Sequence, residues 1–126
     1  MASADGFEIL YNAPRNVLIL RIARLLDVQS GKACERNFYG HIRKLSMHPQ
    51  GWNFLLDLSS CPPQESEIQA ILAAMLNAAR KSGMAKHAVV VNRSLTPMSH
   101  HLSTSLPISF YFQSEEIALQ WLAGES

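Results

Sequence analysis

Between Asp57 and Glu67 the chain gathers residue types that bind or transfer: Asp57, Ser59, Ser60, Cys61, Glu65, Ser66 and Glu67. Carboxylates there can hold a cation or take a proton, and hydroxyls can accept a phosphoryl group. An apolar run from Trp52 ends in this stretch and an amphipathic helix leaves it. Open α/β sheets place their functional surfaces at such strand-to-helix junctions. The first amides of the helix are unpaired there and slightly positive. The stretch has no Gly-rich phosphate cradle and no nucleophile–base pair, so it reads as a binding surface without catalytic residues.

Elsewhere the reactive residue types are scattered. His100 and His101 are adjacent, so on a helix they point about 100° apart and do not share one metal. His41, His48 and His87 have no carboxylate or cysteine at ligand spacing, and the sequence contains no H-E-x-x-H or Cys-x-x-Cys pattern. No metal and no cofactor is expected. Cys34 falls on the apolar face of an expected helix, where a cysteine acts as a small core residue. Cys61, before two prolines, has no base beside it to make a thiolate.

Composition narrows the classes further. The 126 residues are 48% hydrophobic and carry a formal charge of +1, which fits one globular domain spanning 1–126. There is no footprint for nucleic acid, because Arg43-Lys44 and Arg80-Lys81 sit near helix ends, where they complement the dipole. The opening MASADG lacks the charged start and apolar run of a secretion signal, and no stretch approaches the ~20 apolar residues of a membrane span. A cytoplasmic protein is expected.

The elements that must position the junction follow from periodicity. Residues Phe7 to Asn12 alternate as a strand, turn at Asn12 to Asn16, and pair with the apolar run Val17 to Ile22. Asp27 caps a helix to about Met47 with a stripe of Cys34, Phe38, Ile42 and Leu45, despite Gly31 and Gly40. Trp52 to Leu58 forms the third strand. Ile68, Ile71, Leu72, Met75, Leu76 and Ala79 mark a helix from about Gln64 to Ser82, stopped by Gly83. Ala88 to Val91 is a short buried strand, Thr96-Pro97 opens a short helix around Met98 to Thr104, and Ile108 to Phe112 is a fifth strand. Ser114 caps a last helix with an apolar face of Ile117, Ala118, Trp121 and Leu122. The order β-β-α-β-α-β-α-β-α implies an α/β fold with a mixed, mostly parallel five-stranded sheet.

This pattern resembles the STAS domain, the family of anti-sigma-factor antagonists, in the order of elements and in the strand end LLDLSS followed by Glu65-Ser66. The C-terminal FYFQSEEIALQWL is similar to the STAS-like (SpoIIAA-like) bacterial proteins of largely uncharacterised function. The resemblance implies a non-catalytic regulatory module that docks a kinase-like or other regulatory protein through Asp57, Ser59, Ser60, Glu65, Ser66 and Glu67. In the antagonists a partner kinase phosphorylates the second hydroxyl of an Asp-Ser-Ser/Thr-Gly group. Counted without gaps, Glu67 stands at that acceptor and Ile68 at the Gly; with a one-residue gap, Ser66 is the phosphoacceptor. Without a gap the switch is lost, and Glu67 supplies fixed charge in its place. The alternative function is a lipophilic-ligand binder of lipid-carrier type, with Met47, Trp52, Met75, Met84, Met98, Phe110, Phe112 and Trp121 lining a pocket near the short helix. An uncovered edge on the fifth strand would allow a homodimer.

Overall fold

The structure, a computed structural model, describes residues 6–91 and 109–124. Strands β1 (Phe7–Asn12) and β2 (Val17–Ile22) form an antiparallel hairpin, with Asn16 in the left-handed region at φ 57°. That asparagine is held from both sides: the Tyr11 hydroxyl donates to its Oδ1, and its Nδ2 donates to the Gly51 carbonyl at 2.9 Å. Helix α1 (Val28–Leu45), strand β3 (Trp52–Asp57), helix α2 (Ser66–Lys81) and strand β4 (Met84–Val90) follow. Strand β5 (Ser109–Phe112) and helix α3 (Glu115–Leu122) complete the described elements. The short helix expected around residues 98–104 lies outside the described residues.

The sheet runs β1-β2-β3-β4-β5, parallel from β2 onward, which is the mixed α/β architecture expected from sequence. Strand parity divides its side chains into two cores. Leu18, Leu20, Ile22, Phe54 and Leu56 face α1 and α2, meeting Cys34, Phe38, Leu72 and Met75. Val17, Ile19, Leu55, Ala88 and Val90 face the other way, onto Ala118, Leu119 and Leu122 of α3. Five of the six β2 residues are buried, as a strand covered on both faces requires.

Each helix ends or begins for a local reason. The Asp27 carboxylate accepts from the Ser30 amide at 2.7 Å and caps α1. Gly31 sits where α1 crosses α2: a Cβ there would lie 2.7 Å from Ile68 Cδ1, so the glycine permits the close approach. Gly83 ends α2 at φ +93°, and the buried Trp52 indole donates to the Ser82 carbonyl at 3.0 Å. Strand β4 begins at Met84, earlier than the expected Ala88, because pairing with β3 carries the polar Lys86 and His87 into the sheet.

Two details of α3 depart from expectation. Ile117 is 56% exposed, and Leu119 takes its place among the buried residues. The inward stripe is Glu115, Ala118, Leu119 and Leu122, at i, i+3, i+4 and i+7. Its rotation is set by Glu115, which reaches the sheet, and by Trp121, whose ring centroid lies 5.4 Å from that of Phe112.

His87 is buried and stacks on Phe54 with ring centroids 5.1 Å apart. Burial pushes its imidazole down to about 3, so it is neutral in the folded protein. The unfolded imidazole takes up a proton below about 6.5 that the folded one refuses, so stability falls as pH drops from there. Carboxylates held low by Arg21 act only below their ordinary 4.5. A thermal-melt series should therefore decline between pH 6.5 and 5, and His87→Leu should flatten that limb. An unchanged limb would refute the assignment.

Candidate functional site

The sheet register places three charged residues in one row across neighbouring strands: Glu8 opposite Arg21, and Arg21 opposite Asp57. All three project on the α3 face, since Arg21 shares the parity of Val17 and Ile19, and Asp57 that of Leu55. Arg21 grips Glu115 at the start of α3 with two bonds, Nε to Oε2 at 2.9 Å and Nη2 to Oε1 at 2.6 Å. Its remaining arm donates to Glu8. One guanidinium thus joins β1, β2 and α3 through a bidentate, charge-assisted pair and a single bond.

Asp57 sits at the edge of this group, half-buried. Its Oδ1 accepts from the Ser59 amide at 2.9 Å and the Ser59 hydroxyl at 2.7 Å, an Asx-type turn that ends β3. Burial, and then its hydrogen bond to Glu115, raise the Asp57 carboxyl above the ordinary aspartate range. Glu115 moves the opposite way, chiefly through the Arg21 bonds. A cleft of about 160 Å³ opens beside this row, lined by Glu8, Arg21, Ile22, Ala23, Asp57, Ser59 and Ser60.

The sequence-selected residues divide into two groups. Asp57, Ser59 and Ser60 join the Arg21 row, while Glu65, Ser66 and Glu67 are exposed at the start of α2, on the other face of the sheet. Helix α2 begins at Ser66 rather than near Gln64, and Glu65 occupies its N-cap position without a side-chain capping bond. Gln64 itself is buried and serves as a clasp. Its Oε1 accepts from the Leu26 amide at 2.9 Å, and its Nε2 donates to the Arg24 carbonyl at 2.9 Å and to Cys61 Sγ at 3.2 Å. The β2–α1 and β3–α2 loops are held together by that one amide. Leu25, between the two residues that the amide holds, is exposed.

Cys34 and Cys61 are both buried, with burial pushing Cys34 up to about 12 and Cys61 above its usual range. Neither is a thiolate at neutral pH. The apolar residues proposed to line one pocket are dispersed: Met47 is exposed, Trp52, Met75 and Met84 belong to the α1/α2 core, and Phe112 and Trp121 pack on the opposite face. Met98, and the side chain of Phe110, lie outside what the structure describes. Among the described residues no group of three or more His, Cys, Asp or Glu is arranged to hold a metal, and no helix is long and apolar enough to cross a membrane.

Sequence reasoning missed Arg21, Glu8, Glu115 and Gln64. A signal was present for Arg21, since a cation inside an apolar strand requires a carboxylate on the same face.

No family model matches the chain, and no curated protein matches it in sequence. Solved structures do match it in fold. An anti-sigma factor antagonist from Mycobacterium paratuberculosis is 19% identical, with a TM-score of 0.67 over 97% of this chain and 98% of that one. An uncharacterised DUF3478-family protein from Shewanella loihica is 12% identical, with a TM-score of 0.72 over the same shares of the two chains. That protein is described as having a SpoIIAA-like fold, and this chain shares it.

Two substitutions test the row. Arg21→Gln should cost about 1–2 kcal/mol in chemical denaturation, at the low end for charged hydrogen bonds because the guanidinium is partly exposed. Asp57→Asn should instead raise stability at neutral pH. The raised aspartate pKa means the folded form loses stability as pH climbs through that value, whereas an amide can keep the Ser59 bonds and has no charge to bury at any pH. Gln64→Leu should cost about 1–3 kcal/mol through stranded loop amides and carbonyls; a neutral outcome would remove its role as a clasp.

Proposed function

We propose that the chain is a non-catalytic regulatory module that docks a partner protein through the edge running from Ser60 to Glu67. The observation that carries this reading is the start of α2. Glu65, Ser66 and Glu67 are all exposed there, at a helix N-terminus without a side-chain cap, on a loop fixed by the buried Gln64. Unpaired amides, two carboxylates and a hydroxyl stand together on a rigid base, next to the loop that carries the exposed Leu25. Such a surface offers an apolar contact ringed by charge, the usual composition of a transient interface. The shared fold with an anti-sigma factor antagonist supports a regulatory protein as the partner.

In this reading Asp57 and Ser59 are the frame of the surface rather than its contacts, because their bonds are spent inward on each other and on Glu115. Ser66 is the hydroxyl placed for phosphate transfer. A phosphate there would add about −1.5 to −2 charges at a helix N-terminus, which the dipole favours. Glu67 gives the same end of the helix a fixed negative charge, so docking does not require the modification. The lipophilic-ligand reading gains no support from the described residues, because the side chains expected to line one pocket are divided between the two faces of the sheet.

Affinity capture with the full chain and a Glu65→Lys/Glu67→Lys variant tests the reading. Both side chains are exposed, so the variant should fold as the parent does. At least one specific partner should be lost tenfold or more. Recovery of an identical set at equal yield would be evidence against this surface.

A further inference from the structure

Strand β1 is an edge of the sheet, paired on one side with β2 and on the other with no described strand. The Ala23 amide donates to the Gly6 carbonyl at 3.0 Å, which sets the alternation of the antiparallel ladder. In that alternation Glu8, Leu10 and Asn12 turn their backbone N–H and C=O groups to Arg21, Ile19 and Val17 of β2. Those of Phe7, Ile9 and Tyr11 point out of the sheet, and no described residue bonds them.

Exposed edges are usually blunted by lysine, proline, a bulge or shortness. Strand β1 reads FEILYN, with neither lysine nor proline, and pairs over all 6 residues without a shift of register. It is longer than the 4-residue β5, where self-association is expected from sequence. Its one charged side chain, Glu8, is held by Arg21. Ile9, Leu10 and Tyr11 are half-buried, Ile9 and Tyr11 on the α1/α2 face and Leu10 on the α3 face.

We propose that the outer edge of β1 is a self-association surface, to which a second copy of this chain adds its own β1, antiparallel, about a two-fold axis at Ile9. Two-fold symmetry pairs residue i with j and j with i. With the axis at Ile9, Phe7 meets Tyr11 of the second copy, Ile9 meets its own counterpart, and Tyr11 meets Phe7. Every outward N–H and C=O then faces an outward group, and each pair exchanges two bonds. An axis at Leu10 would instead set Phe7 against Ala13, outside the strand. On the α1/α2 face the register at Ile9 makes two aromatic pairs flanking an Ile–Ile pair, and such cross-strand neighbours stabilise a sheet. On the α3 face Glu8 stands opposite Leu10, so no like charges are directly opposed and each carboxylate keeps its Arg21. This match of the edge to itself selects a second copy over an arbitrary extended peptide. The surface uses none of Glu65, Ser66 and Glu67, and it is independent of the docking reading above.

The test combines sedimentation equilibrium of the full chain with amide hydrogen exchange, read by nuclear magnetic resonance at low and high protein concentration. A monomer–dimer equilibrium should appear. Exchange of the Phe7, Ile9 and Tyr11 amides should slow at least tenfold in the dimer, while the Leu10 and Asn12 amides, already bonded to β2, should change far less. Ile9→Lys should weaken association at least tenfold, because the axis sets each new ammonium against its own copy. Ile9 is half-buried, so the lysine stem can lie along the surface the isoleucine covers. Circular dichroism checks the fold of that variant, and if it fails to fold the exchange pattern of the parent chain decides. A monomer up to about 1 mM, a dimer whose added protection falls on β5 or on no strand, or association unchanged in a folded Ile9→Lys would overturn the proposal.

Discussion

A single guanidinium holds the second face of the sheet closed. Among the described residues α3 is the only helix on that face, and it has eight residues. Arg21 binds its first residue with two short bonds, and Asn53 Nδ2 donates to the carbonyl of its last, Leu122, at 3.1 Å. Lys86 adds a cation–π contact, 5.3 Å from the Trp121 ring centroid. The helix is thus fastened at both ends to strands β2 and β3, and the Ala118, Leu119 and Leu122 face is pressed onto Val17, Ile19 and Leu55. A lysine at position 21 could not reproduce the geometry, because the bidentate grip on Glu115 and the third bond to Glu8 use a planar fork.

The elements were legible where one face repeats. The stripe of α1 and the register of β1 and β2 follow directly from spacing, and the buried residues are the ones the spacing selects. The charged row was hidden for a different reason. Strand β3 is apolar on both sides, so nothing in WNFLLDL shows that Asp57 points away from α2. Arg21 and Glu115 are 94 positions apart, and local pattern does not carry a contact of that range. Gln64 looked like the first residue of a helix, whereas its side chain satisfies backbone groups of a distant loop. In α3 the helix and its cap were evident, but its rotation was not, because Glu115 occupies a position on the inward stripe.

The shared architecture with proteins only 12% and 19% identical indicates what this fold conserves physically. At that identity few side chains are shared, so the likeness lies in the path of the chain. Function must then be sought where side chains face solvent without serving the frame. Asp57, the most conspicuous residue in the sequence, accepts two bonds from Ser59 at the end of β3. Glu65, Ser66 and Glu67 at the start of α2 are exposed.

The length of α3 has a consequence for how the molecule moves. Eight residues are too few to hold a helix in water, since isolated helices shorter than about 12–15 residues are marginal even in favourable sequences. Detachment of this segment from the sheet and its melting are therefore one event, with no free-standing helical intermediate between them. Local opening of the C-terminal segment would bare the side chains of Val17, Ile19 and Leu55 together while their amides stay bonded in the sheet, so a single opening equilibrium should govern exchange of the helix amides alone.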